Sequence, residues 1–256
     1  MLTVGIDLAA EAARSAMAVI RWDKTDAVIE QLVLGATDRV LVEAARPADK
    51  VGIDCPLGWP VAFVDFVQRH TRGAIKPGEG RDITARRPLA YRRTDLAVVH
   101  AGGPIPLSVS SDRIGRAAMR AAGLLFALAM PGEPVDRSGR ARVVEVYPAA
   151  ALQRWGYQSR RYKGGLNAST RRKLVDRFCD ATSPWLVISG EHRAACVQSD
   201  DVFDAVVSAL NARAATLPDA VSVPEPDEMS EAIIEGWIAV PLGELADLDP
   251  RVLSRP

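Results

Sequence analysis

The tetrapeptide "VGID" occurs twice, at residues 4–7 and 51–54, each time closing a short apolar run on an aspartate. A carboxylate at the C-terminal end of a buried parallel strand faces the crevice where α/β proteins bind ligands. If the two runs lie side by side and parallel, Asp7 and Asp54 point at one place. Two such charges repel, and one is protonated unless a cation neutralises them. Oxygen-only ligands suit magnesium or manganese. An isolated Asp more commonly starts a turn or caps the next element; the repeat of the whole tetrapeptide favours the metal reading. Asp201 and Asp204, three residues apart, share one face of a helix expected over residues 199–217. Ser208 and Asn211 continue that stripe, so it also reads as the wet side of an amphipathic helix. Glu145, in a strand expected at 142–147, is a fourth candidate, although a lone Glu in a strand is commonly a surface residue.

The elements that must gather these acids follow from pattern. "LTVGID" (2–7) reads as a buried strand, and "SAMAVIRW" (15–22) and "AVIEQLVL" (27–34) as an antiparallel hairpin around the polar turn "DKTD". "ATDRVLVEAAR" (36–46) has Thr37 as N-cap and Pro47 as a stop, which predicts a helix. That helix lets the next strand, "KVGID" (50–54), run parallel to the first. Residues 55–142 are less regular and contain one clear helix, 113–130, stopped by Pro131-Gly132. Further helices are expected at "AAALQRWG" and at 170–181, and a strand in the tail "EGWIAVP". The expected fold is a mixed α/β sheet flanked by helices, with a three-stranded antiparallel start and then parallel strands. No linker divides the chain, so one domain is expected over 1–256, with 59–141 as an insertion and 219–256 as an acidic C-terminal segment.

The chain of 256 residues has no net charge, but its charge is segregated. Residues 69–93 hold eight basic and two acidic side chains, residues 154–173 hold seven basic and none acidic, and residues 219–249 hold nine acids and no base. Such a pattern makes a local positive field on a neutral molecule, or simply two solvated Arg-rich faces. No apolar run approaches the ~20 residues a membrane span needs. The N-terminus lacks a basic region and a cleavage site, and three cysteines at unrelated spacings fit neither a disulfide framework nor a zinc site. A reducing, cytoplasmic location is the expectation.

The ordered set "GIDLA" (5–9), "GIDCPLGWP" (52–60), "YRRTD" (91–95), "EVYPAA" (145–150), "YKGG" (162–165), "DDVFDAVVSALNA" (200–212) and "EGWIAVP" (235–241) resembles the domain-of-unknown-function family 429. That family is usually described as predicted nucleases of the RNase H-like fold. The resemblance implies Asp7, Asp54 and Asp201 or Asp204 as metal ligands, with Glu145 close by. In a two-metal scheme, carboxylates bridge ions roughly 3.5–4 Å apart; one activates the attacking water and the other stabilises the leaving oxygen. Asp7 is then the bridging ligand, Asp54 and Asp204 complete the two sites, and Asp201 is an alternate ligand. Arg92, Arg93, Asp95, Tyr162 and Lys163 are candidates to position a nucleic-acid phosphate or the nucleophile.

Two rival classes have their own signatures. A sugar-kinase-like ATPase needs a Gly/Thr-rich hairpin after its first Asp, whereas "LAAEAARSA" has no Gly and no hydroxyl before Ser15. A non-catalytic nucleic-acid or protein-binding scaffold of the same fold needs no such hairpin and would bind with steep salt dependence and no turnover. A serine hydrolase has no G-x-S-x-G elbow to support it.

Overall fold

The computed structural model describes residues 1–129 and 135–253. The chain opens with β1 (Leu2–Asp7), β2 (Ala16–Trp22) and β3 (Ala27–Leu34), an antiparallel meander. The Thr37 hydroxyl accepts from the Val40 N–H and caps α1 (Asp38–Ala45), which leads back to β4 (Lys50–Asp54), paired parallel to β1. Helices α2 (Val61–Thr71), α3 (Ile83–Ala90), α4 (Arg93–His100) and α5 (Gly115–Leu128) precede β5 (Val143–Glu145), which lies parallel to β4. Then come α6 (Pro148–Arg154), α7 (Ala168–Thr182), the two-residue β6 (Leu186–Val187), α8 (Gly190–Gln198), α9 (Asp200–Ala214), α10 (Met229–Glu235) and α11 (Pro250–Leu253). The six strands form one mixed sheet in the order β5-β4-β1-β2-β3-β6, consistent with an RNase H-like arrangement.

Strand alternation divides the core into two layers. Val4, Ile6, Met17, Val19, Val51 and Ile53 pack with α1 and α5 on one face. Ala16, Ala18, Ile20 and Trp22 pack with α6, α7, α8 and α9 on the other. This two-residue period explains the repeated tetrapeptide. In both copies Val and Ile face the first layer, so Gly and Asp face α9. A Cβ built on Gly5 would stand 2.1 Å from the Ala205 carbonyl oxygen, and one on Gly52 would stand 2.6 Å from that of Ser208. No side chain fits between these strands and the helix backbone.

Several expectations are corrected. The stripe of Asp204, Ser208 and Asn211 is not the wet side of α9, because all three residues are fully buried against the sheet. The strand expected in "EGWIAVP" is reduced to isolated bridges, Glu145 to Ile238 and Val221 to Pro241; β5 offers only three residues to pair with, and Pro241 has no N–H to extend a ladder. Residues 55–142 hold four helices rather than one, but α2 and α3 bury no residue and so leave no apolar stripe to read. The stop expected at Pro131-Gly132 lies outside the described residues. Among those described, no helix is long and apolar enough to cross a membrane. All three cysteines are free and buried.

Gly5→Ala forces β1 off α9 and lowers unfolding free energy by about 3 kcal/mol. Gly123→Ala, in α5 where an added Cβ meets nothing within 4 Å, raises it by about 0.5–1 kcal/mol. Urea denaturation of the two variants distinguishes a packing glycine from a merely helix-weakening one.

Candidate functional site

Asp7 and Asp54 are direct partners in the β1/β4 register, so the two strands deliver their terminal carboxylates side by side. Both keep a partial opening to solvent. Asp204, one turn into α9, is fully buried and joins them from the helix. The Ser199 hydroxyl caps this helix by accepting from the Val202 N–H at 3.3 Å, which fixes where its first turn begins.

Burial first, and then Asp54 and Asp204, push the Asp7 carboxyl well above the ordinary carboxylate range. Burial and the charge of Asp204 raise Asp54 to about 7, although Lys163 works against the rise. Asp204 is raised by burial, while Lys163 and Tyr162 oppose it. The Tyr162 hydroxyl donates to Asp204 Oδ1 at 2.7 Å, and the Lys163 ammonium sits 2.5 Å from Asp204 Oδ2. Burial works against the Lys163 charge, but Asp204, Tyr162, Asp54 and Asp7 hold it protonated. Asp201 lies at the rim, 3.5 Å from Arg14. The site thus gathers Asp7, Asp54, Asp204, Tyr162 and Lys163, with Asp201 beside it. Among the described residues, no three His, Cys, Asp or Glu side chains are close enough to form a ready metal cage; the cation standing among these carboxylates is an ammonium.

The remaining predicted residues belong elsewhere. Glu145 is buried in a second ionic cluster, where its carboxylate takes Arg92 Nη1 and Nη2 at 2.7 Å each. Arg92 Nε and Nη2 also donate to Asp95, and Nη1 to the Glu235 carbonyl oxygen. All five guanidinium N–H groups are therefore used within the protein, and Arg92 has none left for a phosphate. Asp95 is likewise buried as a partner of Arg92. This cluster is structural: Glu145 Oε2 accepts from the Leu57 N–H at 3.0 Å and so holds the loop that follows Asp54. Arg93 is exposed and pairs with Glu231.

One residue that the motifs do not mark is Arg171. It is buried in α7 and donates to the carbonyl oxygens of Tyr162 (2.9 Å), Gly164 (3.1 Å), Val197 (2.9 Å) and Gln198 (3.0 Å). It thereby ties the loop carrying Lys163 to the segment that starts α9. In the sequence it is one base in a basic run, and carbonyl acceptors leave no sequence signal.

Because Asp54 binds its proton more tightly folded (about 7) than unfolded (3.8), its contribution is fully present below pH 4 and is lost as pH rises towards 7. Stability falls across that window by about 1 kcal/mol per pH unit, and Asp54→Asn flattens the slope in urea titrations at each pH. Arg92→Met leaves Asp95 and Glu145 buried without a partner and costs about 3–5 kcal/mol, read from the urea midpoint.

Comparison with known proteins is consistent with the sequence resemblance. No curated protein and no solved structure matches the chain significantly. The model of a protein family of unknown function, DUF429, matches residues 5–229, a span that takes in Asp7, Asp54, Lys163 and Asp204. The chain belongs to the DUF429 family.

Proposed function

We propose that the protein is a metal-dependent phosphodiester hydrolase acting on nucleic acid, with Asp7, Asp54 and Asp204 as ligands for magnesium or manganese and Asp201 as an alternate ligand. The observation that carries this reading is a set of three carboxylates from β1, β4 and α9 that disfavour one another's ionisation and are relieved by one positive group. The donor set fits a hard divalent cation, since every donor is an oxygen and a cationic group already stands against it. Such an ion would supply a bound water of lowered pKa and neutralise charge developing on the phosphate.

The protein's own groups do the rest. Tyr162 orients Asp204 by its hydroxyl. The partly exposed faces of Asp7 and Asp54 mark the side from which substrate enters. Arg160 and Arg161 are exposed next to Lys163 in the chain and supply positive charge for a phosphodiester backbone. Three buried free thiols fit a reducing compartment such as the cytoplasm.

A specific observation supports a second reading, a non-catalytic binding scaffold: the Lys163–Asp204 ion pair already neutralises the site. The test is cleavage of single-stranded, duplex and branched DNA and of RNA with and without manganese. Cleavage that requires manganese and falls at least about 100-fold in folded Asp7→Asn is the expected outcome. Salt-dependent binding with no cleavage under any condition would establish the scaffold.

A further inference from the structure

We propose that Lys163 is a tethered counter-ion, a built-in substitute for the divalent cation that the incoming metal must displace. This rests on the reading of Asp7, Asp54 and Asp204 as a cation site. The geometry separates a fixed backbone from a movable side chain. Arg171 holds the carbonyl oxygens on both sides of Lys163, those of Tyr162 and Gly164. The Gly164 N–H donates to Asp200 Oδ1 at 3.1 Å, which anchors the same loop to the first residue of α9. The lysine itself is held only at its tip. Its side chain is 51 % exposed although the carboxylate it meets is completely buried.

Rotation about the side-chain torsions therefore carries the ammonium out to solvent without moving the loop. Every other donor to Asp204 is neutral: Tyr162 supplies one hydroxyl and Lys163 the only charge paired with it. A resident ammonium of charge +1 keeps the buried carboxylates tolerable in the empty site. A divalent ion offers twice that charge to the same oxygens, so exchange is favoured only above a threshold concentration of metal. The protein thus trades metal affinity for a site that stays neutralised when empty. The displaced ammonium enters the space beside Arg160 and Arg161, where it adds to the charge that meets a phosphate.

The experiment is calorimetric titration of manganese into the full chain, wild type, Lys163→Met and the double variant Lys163→Met/Asp7→Asn, with circular dichroism confirming each fold. Lys163→Met tightens manganese binding about tenfold or more, and the added Asp7→Asn abolishes that binding. In parallel, wild type is labelled with an amine-acetylating reagent and digested for mass spectrometry. Saturating manganese raises labelling of Lys163 several-fold relative to Lys76 and Lys173, which are exposed in either state. Equal affinity in wild type and Lys163→Met, or labelling of Lys163 that is unchanged or reduced by manganese, overturns the exchange while leaving the metal site standing. Absence of saturable binding in both proteins, or binding indifferent to Asp7→Asn, overturns the metal site and the exchange together. Should Lys163→Met fail to fold, labelling of the wild type decides alone.

Discussion

The approach of α9 to strands β1 and β4 is the constraint from which the site follows. Gly5 and Gly52 are placed where any Cβ would collide with the helix backbone, so the helix rests on the strands themselves rather than on a cushion of side chains. This depth brings Asp204 level with Asp7 and Asp54. It also buries Ser208 and Asn211 on the same stripe, which shows that polar residues on this helix follow its seat against the sheet and not its exposure to water. Were the helix to ride higher by one side-chain layer, three carboxylates would become two on a strand edge and one on a distant surface.

Once gathered, these carboxylates are a liability that the fold handles in two different ways within one molecule. Around Glu145 and Asp95, a single guanidinium is surrounded until every N–H is taken. That cluster is closed on both sides of the ledger of charge and has no capacity for a ligand. Around Asp7, Asp54 and Asp204 the positive group arrives on a flexible stem from outside, and two of the acids keep contact with solvent. Saturated and buried charges hold a structure together; an unsaturated, partly open set can exchange its partner. The two clusters are joined through the Leu57 N–H, so the inert one positions the loop that leaves the open one.

The charge pattern along the chain has the same lesson. The basic run 154–173 contains Arg171, whose guanidinium is spent on backbone carbonyls, and Lys163, which is spent on Asp204, beside Arg160 and Arg161, which are exposed. The run 69–93 contains Arg69, tied to Asp65 and Glu79, and Arg92, wholly enclosed. Fields inferred from sequence are therefore reduced by the partners that folding supplies, and the positive surface next to the site is narrower than the residue count implies.

The strand periodicity of "VGID" was readable from sequence because alternation is a local property: period two puts Val and Ile on one side and Gly and Asp on the other wherever the strand lies. The antiparallel meander, the capped α1, the parallel return of β4 and the late Asp-bearing helix were legible for the same reason, each resting on neighbouring residues. The pairing of Asp7 with Asp54 followed once those strands were assumed adjacent. The sequence could not show which acids share a pocket, because partnership is decided by side chains far apart in the chain. Glu145 and Arg92, 53 residues apart, satisfy each other, and so a candidate ligand and a candidate phosphate clamp cancel out. Helices α2 and α3 left no apolar stripe because they bury nothing. Arg171 binds carbonyl oxygens, which every residue carries, so no sequence pattern marks it. Residue types and their faces belonged to the sequence alone; which charges meet, and which remain free to meet something else, was settled only when the sheet and α9 closed on each other.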